Sequence, residues 1–182
     1  MATETTTAMR DRLDEILDWR SQADVRVIEV EIPKIQILIF AIGPSLLALP
    51  ARTLIEILPL TTIHFVPGCP PAIEGVINVR GDIATVIRLG GLLGIEHGPT
   101  GRATAILLGR GQDRAGEPIQ SGLRVDRVLD VLDLPETAIQ PPPESLAEPL
   151  RGLATGIFLH GESSVILLDL DVILARVLER AE

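Results

Sequence analysis

A chain of 182 residues has room for one domain, or two small ones, with a real core, and its 25 acidic against 16 basic residues leave a net charge of −9. With a single lysine, no basic stripe and aromatics at 2% of residues, it is a poor partner for phosphate backbones, for bases that need stacking and for anionic lipid. Cys69 stands alone, so no intramolecular disulfide forms and a reducing cytoplasm suits the chain.

The N-terminus is Thr-rich and acidic, without the apolar run and small-residue cleavage site of a signal peptide. Residues 7–22 predict an amphipathic helix with Met9, Leu13, Ile16 and Leu17 on one face, capped by Thr6 or Thr7. Trp19 anchors it either on its own domain, the reading preferred, or on another protein. In residues 25–32, Ile28, Val30 and Ile32 alternate with charged positions as in a half-buried strand added at a sheet edge, and Pro33 ends it. Residues 35–51 carry no charge, yet Gly43-Pro44-Ser45 interrupts them, so two strands joined by a turn are expected rather than a membrane span.

Strands are expected at residues 34–42, 45–50, 53–58, 75–80, 83–89, 103–109, 119–125, 127–132, 153–159 and 164–169, the spacing of small barrels or sandwiches. Residues 110–118 form a polar loop, Pro141-Pro142-Pro143 a stiff connector and residues 144–149 an exposed segment. Residues 171–180 place Val172, Ile173, Leu174, Val177 and Leu178 at helical spacing and close the chain as a helix. A weak internal echo pairs Ile73-Glu74-Gly75-Val76, Gly81-Asp82, Leu89 and Leu92-Leu93 with Leu150-Arg151-Gly152-Leu153, Gly161-Glu162, Leu170 and Ile173-Leu174.

Catalytic patterns are missing. His64, His97 and His160 are dispersed, so neither a metal site nor a cofactor is expected. Ser163-Ser164 beside His160 lacks a nucleophile elbow and reads as a hairpin tip. Gly90-Gly91-Leu92-Leu93-Gly94 lacks the Lys-Ser or Lys-Thr of a phosphate loop. Asp169 reads as a helix cap, and Asp126 and Asp130 as structural carboxylates. A mean hydropathy of +0.35 exceeds the need of one modest core and points to apolar surface covered in an assembly.

The most informative stretch is residues 73–94. Val76, Ile77 and Val79, then Ile83, Thr85, Val86 and Ile87, form two β-branched runs around Arg80-Gly81-Asp82, which predicts a hairpin with Gly81 at positive φ and Arg80 exposed at a strand end. The string Gly75-Val76-Ile77-Asn78-Val79-Arg80-Gly81, followed by Ile83, Val86, Ile87 and Leu89, resembles the signature hairpin of the chemotaxis coupling protein (CheW) family. Gln36-Ile37-Leu38-Ile39-Phe40, Ile55-Glu56-Ile57, Val66-Pro67-Gly68, Val125-Asp126-Arg127-Val128 and Leu167-Leu168-Asp169-Leu170 extend the likeness over roughly residues 34–175. Thr85 and Arg88 depart from the family's usual Pro and Asp, and Arg124 from an aliphatic.

The resemblance implies a mainly β fold of two small five-stranded SH3-like β-barrel subdomains over residues 25–182, with strands exchanged between them and a C-terminal helix. Residues 1–24 form a helical extension outside it. It implies a non-catalytic adaptor. Around Leu54, Glu56, Gly75, Asn78, Arg80, Gly81 and Val125 it would grip the cytoplasmic tip of a chemoreceptor, with Glu56 holding Arg80 through a bidentate pair. The barrel ends would bind the regulatory domain of the chemotaxis histidine kinase, at membrane receptor arrays but without membrane insertion. Three alternatives stand beside it: a scaffold of a surface-motility pathway, a passive structural subunit, and a small-barrel enzyme if Asp126, His160 and Asp169 converge in one cleft.

Overall fold

The computed structural model describes residues 32–112 and 116–179, so the helix expected at 7–22 and nearly all of the strand expected at 25–32 lie outside the described residues. Ten strands follow in order: β1 Lys34–Ile42, β2 Ser45–Pro50, β3 Leu54–Pro59, β4 Ile73–Val79, β5 Asp82–Ile87, β6 Ala105–Gln112, β7 Pro118–Val125, β8 Arg127–Pro135, β9 Ala154–His160 and β10 Ser163–Leu168. Two helices, α1 Leu89–Leu93 and α2 Leu170–Glu179, each follow a hairpin. All ten expected strands form. β6 runs further than expected, to Gln112, and thereby shortens the polar loop.

The strands make two five-stranded sheets, ordered β8-β1-β2-β10-β9 and β3-β6-β7-β5-β4, a mainly β fold of two SH3-like subdomains. The second sheet uses a continuous piece of chain, β3 to β7. The first is assembled from β1 and β2 with β8 to β10, so the chain leaves it after β2 and returns at β8. The topologies match once this is allowed for. Each sheet sets one antiparallel hairpin parallel to another, β5 against β7 and β10 against β2.

The expected echo is real but its register shifts. Both second hairpins carry a bulge near one end, at Glu74 in β4 and Thr155 in β9. Gly75 therefore corresponds to Gly156 rather than Gly152, and Leu89 and Leu93 to Leu170 and Leu174. Gly75 sits at φ +156, where an added Cβ would lie 2.3 Å from the His64 carbonyl oxygen. That close approach lets His64 exchange backbone hydrogen bonds with Val76 at 2.8 and 2.9 Å, bringing the segment after β3 against β4, the opposite margin of its sheet. Gln140 bridges Ile157 in the same way in the other subdomain.

Burial explains the uncharged run at residues 35–51. On β1, Ile37 and Ile39 point into a core inside the first sheet, with Phe158 and Val165, while Leu38, Phe40 and Ile42 point the other way into a larger core. With both faces covered, the strand cannot alternate apolar with polar. The larger core joins the subdomains: Leu47 and Leu49 of β2 meet Leu107 of β6, Leu123 and Val125 of β7, Leu89 and Leu92 of α1, and Ile173 and Leu174 of α2. Much of the aliphatic excess assigned from sequence to a partner is buried there. Asp169 caps α2 as expected, its Oδ1 accepting the Asp171 N–H at 2.8 Å.

Candidate functional site

The β4–β5 hairpin turns on two residues. Val79 pairs with Asp82, which leaves Arg80 and Gly81 as the loop, with φ of +54 and +103, both positive as a type I′ turn requires. Asp82, expected in the turn, is instead the first residue of β5. Arg80 is the one non-glycine with positive φ among the described residues. An arginine there is uncommon, and the Asn78 side chain holds the turn in place, its Oδ1 accepting the Gly81 N–H at 2.8 Å.

Arg80 reaches back to β3, where its Nη2 donates to Glu56 Oε1 at 2.7 Å. The pairing expected from sequence forms, through one nitrogen–oxygen contact rather than the bidentate arrangement. The Arg80 side chain is 78% exposed and that of Glu56 29%. An ion pair this open contributes about 1 kcal/mol at most to stability, so its effect is to aim the guanidinium. Ile55 and Ile57 on β3 and Ile83 on β5 are exposed, and Ile83 is the cross-strand neighbour of Asn78. Leu54, half-buried, lines with Ile55, Glu56 and Ile57 an open groove of about 290 Å³ that reaches Leu38.

Two of the expected contact residues face inward. Val125 is fully buried in the joint core beside Leu123, because its cross-strand partner Ala105 puts it on the covered face of β7. Gly75 is buried beneath His64. Neither offers an exposed side-chain surface. Ile55, Ile57 and Ile83 are exposed instead, which sequence did not reveal because β-branched residues in strands read first as core.

The candidate catalytic groups do not meet. Asp126 Oδ1 lies 2.8 Å from His97 Nδ1, His160 lies 3.9 Å from Asp130, and Asp169 caps α2. The His97–Asp126 pair has the look of a dyad, yet His97 Nε2 is buried without a hydrogen-bond partner, and a Cβ on Gly90 would stand 2.7 Å from it. The far side of the ring is closed by α1, with no nucleophile in reach. Asp126 Oδ2 instead accepts the N–H groups of Gly43 and Gly98, each at 2.6 Å. Burial raises the Asp126 carboxyl, but the hydrogen bonds from Gly43, Gly98 and His97 outweigh it and hold the group below its ordinary range. Among the described residues no cluster of His, Cys, Asp and Glu could hold a metal ion, and no helix is long and apolar enough to cross a membrane.

Paired five-stranded SH3-like subdomains define the class of fold, and the exposed arginine hairpin is a prominent feature of its surface. The chain belongs to the CheW family: the CheW-like domain matches residues 36–178. It is 30% identical over 139 residues to a probable chemotaxis protein CheW of Rhizobium etli, covering 76% of this chain and 86% of the relative. It is 28% identical over 142 residues to the chemotaxis protein CheW of Helicobacter pylori, covering 78% and 82%. Its fold is similar to the crystal structure of the scaffolding protein TtCheW from Thermoanaerobacter tengcongensis, with a TM-score of 0.68 and 26% identity over 79% of this chain and 89% of that one.

Proposed function

We propose that this chain is a non-catalytic adaptor of cytoplasmic chemosensory arrays, coupling the tip of a chemoreceptor to the regulatory domain of the chemotaxis histidine kinase. The observation that carries the receptor half is the Arg80 hairpin, aimed by Glu56 from a strand on which Ile55 and Ile57 are also exposed. An oriented guanidinium and exposed apolar side chains are the residue types of an interface centre. Family membership supports the kinase half, which we assign to the subdomain ends. Holding both proteins at once raises their effective concentration, so a receptor shift biases the kinase.

Two of the three departures from the family pattern are turned away from solvent. Thr85 is half-buried in β5 opposite Ser121, and Arg124 turns into its own subdomain to pair with Glu74. Arg88 alone is exposed, at the start of α1, where its side chain makes no capping hydrogen bond.

The test is co-purification of the chain with a soluble chemoreceptor tip fragment. The wild type is expected to be retained, and Arg80→Ala to bind about tenfold more weakly, roughly 1.4 kcal/mol, with its unfolding midpoint nearly unchanged. Equal retention of both proteins would sink the assignment of Arg80, and failure of the wild type to bind would sink the receptor reading.

A further inference from the structure

The groove lined by Leu54, Ile55, Ile57 and Glu56, the partner of Arg80, continues past Leu54. Ala51, in the 3-10 turn Ala51–Thr53 that carries the chain from β2 to β3, lines that groove and also an adjoining cavity of about 310 Å³. The second cavity is lined by Lys34, Arg52 and Glu136, with Ile35 and Gln36. Lys34 is the chain's only lysine. Lys34 and Arg52 are exposed, and neither has a carboxylate partner among the described residues. Glu136 is the one opposing charge in the cavity, which leaves it net positive on a chain of net charge −9.

We infer that Lys34 and Arg52 form the far end of the receptor groove and select a helix that carries a carboxylate beside its apolar face, an inference that rests on the receptor-coupling reading. An acidic helix meets repulsion over most of this protein. Along this groove it finds attraction at the Arg80 end, where Glu56 already offsets the charge in part, and at Lys34 and Arg52, which have no carboxylate partner among the described residues. The apolar floor of Leu38, Leu54 and Ile55 lies along the groove and seats the apolar face. Because the two ends differ in charge, a helix laid along the groove has a preferred direction, which a uniform apolar groove would not impose. Charges at a rim act mainly on encounter and its salt dependence.

The test follows association of full-length protein with a chemoreceptor tip fragment at low and high salt. The Lys34→Glu/Arg52→Glu double variant is expected to associate several-fold more slowly at low salt, with a flattened salt dependence and an unchanged unfolding midpoint. Arg80→Ala is expected mainly to speed dissociation. A tip fragment whose Asp and Glu residues are replaced by Asn and Gln should associate equally with the wild type and the double variant. An unchanged association rate and salt dependence in the double variant, with Arg80→Ala still impaired, would overturn the basic end and leave the receptor reading standing. If the wild type does not bind the fragment at all, both fall.

Discussion

Replacing Asp126 by Ala is expected to lower the free energy of unfolding by about 4 kcal/mol, the largest loss from any single side chain outside the cores. The Asp126 side chain is 16% exposed and takes hydrogen bonds from Gly43 in the β1–β2 turn and from His97 and Gly98 in the segment after α1. Its own N–H donates to the Ala41 carbonyl at 3.0 Å. Removal leaves two backbone donors and an imidazole half-buried without partners, at about 1–3 kcal/mol each before relaxation. The position matters as much as the count: Asp126 lies between β7 and β8, where the chain returns to the first sheet, so it fastens that crossing to parts of both subdomains. Asp126→Asn keeps one carbonyl oxygen and should recover part of the loss. The effect depends on pH in a defined direction. The folded-state carboxyl titrates below its ordinary range, so its contribution is complete above the unfolded value of about 4 and fades as pH falls through the lower folded value. The gap between the urea midpoints of wild type and Asp126→Ala should therefore be widest at neutral pH and narrow in the acid range. A constant gap across that range would refute the carboxylate's role.

Arg124→Leu is expected to cost about 3 kcal/mol, although an aliphatic is the family's usual choice there. Arg124 lies opposite Ile106 on the face of β7 that looks into the second subdomain, and its guanidinium binds Glu74 from the β4 bulge. The side chains are 21% and 15% exposed, and Glu74 Oε2 already lacks a hydrogen-bond partner. Taking away the cation leaves a carboxylate in an apolar setting without compensation, which is where such pairs exact their cost. Replacing both partners by Leu should restore most of the stability, because nearby Ile77, Val86 and Ile106 make that interior apolar. A double-mutant cycle by urea unfolding measures the coupling. A neutral Arg124→Leu would show the pair to be incidental. The first sheet has no counterpart: the matching positions are Pro50 and Thr155.

Local pattern carried most of the fold. Alternation, β-branched runs and Gly-containing turns located every strand of the two sheets, and the spacing in residues 171–180 located α2. Sheet membership was less visible, since nothing local distinguishes a chain that continues its sheet after Pro50 from one that leaves it. The echo slipped because Gly152 and Gly156 are both near β9, and only the bulge at Thr155 decides which matches Gly75. At the site, the Arg80–Glu56 contact was legible through the family resemblance, bridging residues 24 apart. The Asp126–His97 link, spanning 29, had no such guide, and the residues read as a structural carboxylate and one of three dispersed histidines. Val125 misled because a motif marks a position and does not say which face of the strand it occupies.

Interrupting one sheet with the whole of the other has a bearing on biosynthesis. As the chain leaves the ribosome, β3 to β7 emerge together and can complete their sheet from neighbours in sequence. The β1–β2 hairpin, made first, has to keep its aliphatic sides out of aggregates until β10 arrives to lie alongside β2. The earliest part of the described chain to be translated is thus among the last to reach its final neighbours.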